Sequence, residues 1–286
     1  MSKNIIISKS IGSSKEDDDP ILDFQNIDLK KIENSRQVVS GVPFYGATLN
    51  ELVGLSLHQL EKIRKTGKSD AMQHVLPLNP YNFFRCRFNK KYFSVLRESF
   101  INLPAEKGMI GLTNIVKTSL PQVIPISQYL MNLIRVAQEK NYTIYMIGSS
   151  TGVLDKLQTN LLRSFPRLRI TGKHHGQLKG KAKDNVIESV RKTDPHIVIL
   201  SLGFKQELNW VMQNSELLKR SLLVNLGGGL NVMAGKKKPA PDFIVDANVT
   251  WFWRILSRPY LWYRFFVLGG GYLHLVYLRL FKKKGD

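Results

Sequence analysis

YTIYMIGSSTGVLDKLQTNLLRSF, residues 142–165, is the stretch whose reading decides the fold of this chain. The apolar run 142–147 breaks into the small-residue loop GSSTG at 148–152. A helical pattern comes next, with Val153, Leu154, Leu157 and Leu161 at helical spacing. The same order then repeats. LRIT (168–171) ends in GKHHG (172–176), HIVILSLGF (196–204) leads into KQE (205–207), and SLLVN (221–225) opens into GGGLNVMAG (227–235). Three or four apolar runs of strand length alternating with amphipathic helical patterns predict a parallel α/β sheet. Ligands of such sheets bind outside the carboxyl ends of the strands. Residues 142–235 are therefore expected to form the ligand-binding half of an enzyme.

Working outward toward the N-terminus, 127–140 predicts an amphipathic helix leading into the first of these strands. INLPAEKGMIG (101–111) reads as a loop with one carboxylate, Glu106, near Gly108. Before it, HVLPLN (74–79) predicts a strand ending at Asn79, and YNFFRCRFNKKYFSVLRESF (81–100) a helix rich in aromatic and basic residues. An Asn just past a strand end suits a sugar or base contact and suits a turn equally well. QVVSGVPFYGATL (37–49) reads as strand and turn, with Thr48 as N-cap of the helix 49–65. Residues 1–35 are expected to form a flexible tail, 36–249 the α/β domain and 250–286 a C-terminal appendage. The acidic run Asp17–Asp19 in the tail lacks spaced partners and reads as solvated rather than metal-binding.

The chain has 286 residues, 43% of them hydrophobic, enough for a sizeable core. Lys and Arg number 42 against 22 Asp and Glu, a formal net charge of +20. That excess points to a polyanionic partner: nucleic acid, an anionic membrane surface or a phosphate-bearing substrate. The lone cysteine, Cys86, excludes an internal disulfide and fits a reducing compartment. No signal peptide is read at the N-terminus, and no stretch is long and apolar enough to predict a spanning helix.

The loops set out the chemistry. GSSTG lets backbone N–H groups approach an anion at the start of the next helix, although many βα turns share that composition. His174 and His175 come after a strand, where an imidazole can meet a phosphate or act as an acid. Neighbouring residues rarely share one metal, so no zinc site is read there. Lys205, Gln206 and Glu207 open a helix after Gly203. A first-turn Glu is also what the helix dipole alone favours. Residues 250–286 hold eleven aromatic residues and seven Arg or Lys, with a single carboxylate at the last position. Trp251, Trp262 and their neighbours among Arg254, Arg258 and Arg264 suit a helical segment lying on a membrane surface rather than crossing it. Stacking on single-stranded nucleic acid ranks below this, because no known nucleic-acid-binding pattern accompanies the aromatics.

In the order YMIGSS (145–150), FPRLRITGKHHG (165–176), LGF-KQE (202–207), GGGLNVMAGKKKPAP (227–241) and WFWRILSRP (251–259), the chain resembles the WecG/TagA/CpsF family of bacterial glycosyltransferases, glycosyltransferase family 26. The resemblance spans about 39–264. It implies a Rossmann-like fold with helices on both faces of a parallel sheet. It further implies inverting transfer of an N-acetylmannosamine-type sugar from a UDP-sugar donor to a polyprenyl-diphosphate-linked acceptor, as in exopolysaccharide, capsule or teichoic acid synthesis. No metal or other cofactor is implied. The implied location is cytoplasmic, peripheral to the inner face of the membrane. A nucleic-acid partner is not expected, and self-association into a homo-oligomer is left open.

The substrate-binding set expected on this basis is Asn79, Gly148, Ser149, His174, His175, Gly203, Lys205, Gln206, Glu207, Gly228, Gly229 and Asn231. Arg254, Arg258, Arg264, Trp251 and Trp262 are expected to face acceptor and membrane. Several positions depart from the family pattern. Pro77 replaces a Thr, Phe204 the Pro before KQE, Asn231 an Asp and Thr250 a Glu. Where the family has an Asp directly before Gly108, this chain has Lys107, in a loop that reads as lengthened. Glu106 is then the expected general base. The departures leave a second reading open: a non-catalytic relative that binds nucleotide-sugar or lipid diphosphate and supports a partner enzyme.

Overall fold

The computed structural model describes residues 27–118, 120–178, 180–227, 229–234 and 262–281. Its centre is a six-stranded sheet of β3 (Gln73–Leu78), β4 (Ile101–Pro104), β5 (Thr143–Gly148), β6 (Arg169–His174), β7 (Ile197–Ser201) and β8 (Leu222–Asn225). The order across the sheet is β4-β3-β8-β7-β5-β6, with every neighbouring pair parallel. β5, β7 and β8 are buried along their whole length, as strands covered on both faces must be. The edge strand β6 instead alternates between exposed and half-buried residues. β1 (Arg36–Val39) and β2 (Val42–Tyr45) form a separate antiparallel hairpin. Its two-residue turn, Ser40 and Gly41, has positive φ at both positions, the backbone that matches the twist of paired strands.

The pleat sends alternate side chains to opposite faces. Ile144 and Met146 of β5 join Ile197 and Ile199 of β7 on one face, against α2 (Leu49–Thr66), α6 (Ile126–Glu139) and α7 (Thr151–Ser164). Tyr145, Ile147, Val198 and Leu200 face the other side. There they meet α3 (Pro80–Arg87), α4 (Lys90–Glu98), α5 (Lys107–Ile115), α8 (Lys181–Thr193) and α9 (Phe204–Gln213). Each fully buried aliphatic side chain contributes roughly 1.5–3 kcal/mol. The helix α1 (Leu29–Asn34) adds Ile32, 1% exposed, to the first of these cores. The folded unit thus starts ahead of the expected boundary at 35, because Ile27, Leu29 and Ile32 give this approach three apolar side chains that pack against that core.

Two local expectations change. The helix expected over 81–100 is two helices. Asn89 breaks it, its Oδ1 accepting from the N–H groups of Lys91 and Tyr92 and so starting α4 anew. The stretch 101–111 is not a loop. It supplies β4, short enough to escape notice because Pro104 closes it after four residues, and then the start of α5. Thr48 caps α2 as expected, in a capping box with Glu51.

The C-terminal helix α11 (Tyr263–Phe281) packs along α3 and reaches the start of α5. Tyr272 donates its hydroxyl hydrogen to the Gly108 carbonyl at 3.1 Å, and its ring meets Phe84 edge-on at 5.2 Å. Arg264 stacks its guanidinium over the Tyr81 ring at 4.5 Å, and Leu275 is buried. Among the described residues no helix is long and apolar enough to cross a membrane. The three glycines at 269–271 separate by what surrounds them. A Cβ on Gly271 would lie 2.3 Å from the Phe84 ring, whereas Gly269 and Gly270 face open space. Gly269→Ala and Gly270→Ala are expected to firm α11 by up to ~1 kcal/mol each. Gly271→Leu should lift the helix off Phe84. Limited proteolysis read by mass spectrometry separates the two, with slower cleavage within 263–281 for the alanine variants and faster cleavage for Gly271→Leu. Equal protection in all three would refute this packing.

Candidate active site

The chain crosses the sheet in two directions. From β5 it moves outward to β6 through α7, on one face. From β7 it moves the opposite way to β8 through α9, on the other. β5 and β7 are neighbours, so the connections leaving their carboxyl ends diverge and leave a crevice between them. This is the topological switch point where open α/β sheets bind ligands. A cleft of about 360 Å³ lies there, lined by Ser149 after β5, Gly176 and Gln177 after β6, Ser201, Leu202 and Gly203 at the end of β7, and Gly227 after β8.

The loops are tied in series by hydrogen bonds across the strand ends. The Gly176 N–H donates to the Ser149 carbonyl (2.8 Å), the Ser149 N–H to the Ser201 carbonyl (3.0 Å), and the Ser201 hydroxyl to the Gly227 carbonyl (2.5 Å). Such close approach requires Gly148. It sits at φ +133°, and a Cβ there would come within 2.3 Å of the Ser201 carbonyl oxygen. Ser149 is next, at φ 58°. The helices that open at this cleft, α7 and α9, have no side-chain cap; α5, α6 and α8 also lack one, while α2, α3 and α4 are capped by Thr48, Asn79 and Asn89. Two uncapped N-termini with their dipoles directed at the strand ends suit a bound anion. Lys205 and Gln206, in the first turn of α9, are both exposed, and neither is among the residues that line the cleft.

Glu207, expected to line the site, instead turns its side chain inward and is 1% exposed. One carboxylate oxygen accepts from the N–H groups of Leu202 (3.0 Å) and Gly203 (3.4 Å); the other is buried without a hydrogen-bond partner, with the Gly227 amide near enough to favour the ionised form. It therefore acts as an internal strut for the β7 and β8 loops. Burial pushes its carboxyl up to about 7, and the three N–H groups offset only part of that.

The remaining expected residues divide. Asn79 is the N-cap of α3, its Oδ1 accepting from the Asn82 N–H at 2.8 Å, so the turn-forming role is the one it fills. His174 and His175 lie 4.4 Å apart, ring to ring, just before the cleft, with His174 Nδ1 2.8 Å from the His175 carbonyl, and it is Gly176 and Gln177 that reach the lining. Gly229 and Asn231 fall in the short helix α10 (Gly229–Met233). Glu106 is the half-buried N-cap residue of α5 at the end of β4, and its side chain does not cap the helix. Three strand spacings separate β4 from β7, so the β4 end that leads into Glu106 lies roughly 14 Å across the sheet from the β7 end at the cleft. Trp262 is 58% exposed at the start of α11. Gly228, Trp251, Arg254 and Arg258 lie outside the described residues. Among the described residues no three His, Cys, Asp or Glu side chains gather as a metal site would need.

Gly176, Gln177, Ser201, Leu202 and Gly227 stand outside the expected set. Gly176 and Gly227 were within reach, as the last glycine of GKHHG and the first of GGG, and Ser201 and Leu202 lie in the SLGF stretch before KQE. Nothing short of the strand order marks Gln177.

The strut makes stability depend on pH. Glu207 has a folded value near 7 against 4.5 unperturbed, so the folded state binds the proton more tightly. Its contribution is fully present below about pH 4.5 and is lost as pH rises through 7, on the order of 3 kcal/mol in all. Gln at this position mimics the neutral acid. Denaturant unfolding of wild type and Glu207→Gln should show wild type losing stability relative to the variant between pH 5 and 8. A pH-independent difference would rule out this role.

The chain has relatives among known proteins. The model of the family described as "Glycosyl transferase WecG/TagA/CpsF family" matches residues 37–286. An N-acetylglucosaminyldiphosphoundecaprenol N-acetyl-beta-D-mannosaminyltransferase of Bacillus subtilis (strain 168) is 23% identical over 228 residues, 80% of this chain and 86% of that protein. Enzymes of the same name from Bacillus spizizenii (24% over 190 residues, 66% and 73%) and Staphylococcus aureus strain NCTC 8325 / PS 47 (20% over 220 residues, 76% and 83%) are similar. With its parallel sheet, its glycine-lined cleft and a match over most of its length, this chain belongs to the WecG/TagA/CpsF family of glycosyl transferases.

Proposed function

We propose that this hexosyltransferase moves an N-acetylmannosamine-type sugar from a UDP-sugar donor to a sugar carried on a polyprenyl diphosphate, in the synthesis of a surface polysaccharide such as an exopolysaccharide, capsule or teichoic acid. The observation behind the reading is the cleft at the β5/β7 switch point, where two uncapped helix N-termini and backbone N–H groups suit a diphosphate. The relatives, transferases that act on N-acetylglucosaminyldiphosphoundecaprenol by name, supply the acceptor class.

In this reading the donor's diphosphate lies over Ser149 and Gly203, and its sugar extends along the strand ends toward β4. Glu106 takes the proton of the acceptor hydroxyl. The freed oxygen attacks the anomeric carbon from the face opposite the diphosphate, the bond to the leaving oxygen breaks, and configuration inverts. Helix N-termini and Lys205 meet the charge that collects on the leaving UDP, so no metal is required. The acceptor is membrane-bound, and the protein works from the inner face of the cell membrane. There α11 presents Phe266, Leu273, Val276, Tyr277 and Leu280 outward, with Trp262 just ahead of it, a run at helical spacing that suits the interfacial zone.

Lys107 directly before Gly108 favours the second reading, a sugar-nucleotide or lipid-diphosphate binder that supports a partner enzyme. Incubation with UDP-N-acetylmannosamine and a lipid-diphosphate-linked acceptor decides between them. Turnover unaffected by chelator is expected, with Glu106→Gln lowering kcat roughly 10²–10⁴-fold and leaving KM nearly unchanged. Calorimetric binding of UDP-sugar without turnover would instead establish the binder. No turnover, together with no binding of any UDP-sugar or of the lipid-diphosphate-linked acceptor, would remove both.

A further inference from the structure

α3 and α4 lie side by side, α11 packs along α3, and the turn between α3 and α4 is unusual for a folded surface. Phe88 is 60% exposed there. It is held in place, since its backbone N–H donates to the Phe84 carbonyl at 3.1 Å and its ring meets the His274 ring edge-on at 5.9 Å. Asn89 caps α4 and so fixes the direction of its first turn, where Lys90 and Lys91 stand exposed. From 80 to 97 the chain has five Arg or Lys and no carboxylate, and α11 has no carboxylate either.

We propose that the α3–α4 turn, Phe88 with Lys90 and Lys91, is a second membrane contact that enters an anionic bilayer beside α11. The inference rests on the membrane association proposed above and adds a residue set outside the C-terminal segment. Its physical content is rotation. A single helix lying in the interfacial zone lets the body it supports roll about the helix axis. A second anchor on the neighbouring helix, about 8–10 Å off that axis, stops the roll. It thereby sets the direction in which the β3 and β4 ends, and Glu106 with them, face the lipid.

The chemistry selects the partner. Phe88 meets His274 of α11, the exposed Leu273 and Tyr277 lie one residue before and three after that histidine on the same helix, and Lys90 and Lys91 stand exposed beside Phe88. The ring suits the acyl boundary and the lysines suit lipid phosphates. A second copy of this chain would bring like charges together with no carboxylate to meet them. Single-stranded nucleic acid has no use for the exposed aliphatic residues Leu273, Val276 and Leu280.

Two measurements test it on the full chain. The first is sedimentation with phosphatidylcholine vesicles with and without phosphatidylglycerol. It compares wild type with a variant combining Phe88→Ala, Lys90→Gln and Lys91→Gln, whose thermal unfolding should match wild type. The variant is expected to bind phosphatidylglycerol vesicles roughly ten- to a hundredfold more weakly. The second uses Phe88→Cys labelled with an environment-sensitive fluorophore, which is selective because Cys86 is buried. Its emission should shift to the blue on those vesicles and be quenched by lipids with spin labels on the upper acyl chain. If wild type binds while the triple variant binds equally well and the label stays silent, the second contact is wrong and association through α11 stands. If wild type ignores both kinds of vesicle, the membrane reading and this inference fall together. Tight binding of single-stranded oligonucleotide that the triple variant loses would replace the lipid by nucleic acid.

Discussion

A parallel sheet ends in a row of backbone amides and carbonyls with no further strand to pair with, and at the β5/β7 crevice this edge is also where a ligand must approach. The molecule meets the conflict by turning the edge groups on one another. Gly176, Ser149, Ser201 and Gly227 are linked loop to loop, and the Glu207 carboxylate gathers the N–H groups of Leu202 and Gly203 from beneath. A buried carboxylate is costly, and its raised pKa shows that the surrounding dipoles do not fully offset the lost hydration. Its retention makes sense as positioning. With those two amides held from inside, the N-terminus of α9 is fixed in direction, and the N–H groups of its first turn remain for a ligand. A neutral, apolar residue would satisfy the core and release the loops.

The same division between occupied and unoccupied groups runs through the helix starts. Asn79 and Asn89 spend their side chains on the amides of α3 and α4, which marks those ends as structural. α7 and α9 begin at Ser150 and Gly203 without that service. The open starts of α7 and α9 meet at the crevice, which places two positive helix ends on that side of the sheet. The exposed cations of α3, α4 and α11 lie toward the other.

How far the sequence can be read depends on whether the information is local. β5, β7 and β8 are legible because strands covered on both faces must be continuously apolar, and TIYMI, IVIL and LLVN are. Thr48 is legible because a capping box is a four-residue pattern. β4 is not: its four residues end in Pro104, and its strand character comes from pairing with β3, twenty-odd residues away. Glu207 misleads for a related reason. At the first turn of a helix its charge fits the dipole whether it points to solvent or to the core, and only the placement of the β8 loop beneath α9 decides. Gln177 enters the cleft because β6 lies beside β5, an adjacency that no local pattern encodes. Family resemblance identifies the loops and leaves open which side chains in them face the ligand.

The separation of Glu106 from the cleft constrains the proposed chemistry. With the β4 and β7 ends roughly 14 Å apart, a diphosphate seated at the switch point lies across the sheet from Glu106, and the reacting carbon must be carried toward it by the length of the sugar. The donor then has to lie along the strand ends, across β8 and β3, and not perpendicular to them. The acceptor hydroxyl has to arrive from the β4 edge. That edge is where α11 clamps the start of α5 through Tyr272 and the Gly108 carbonyl. The loop bearing the candidate base is therefore tied directly to the helix that offers its apolar face outward. On the proposed reading, docking on a bilayer and positioning the base are one mechanical event, and a lysine directly before Gly108 is tolerable because the carboxylate is set by that clamp from its neighbour's position.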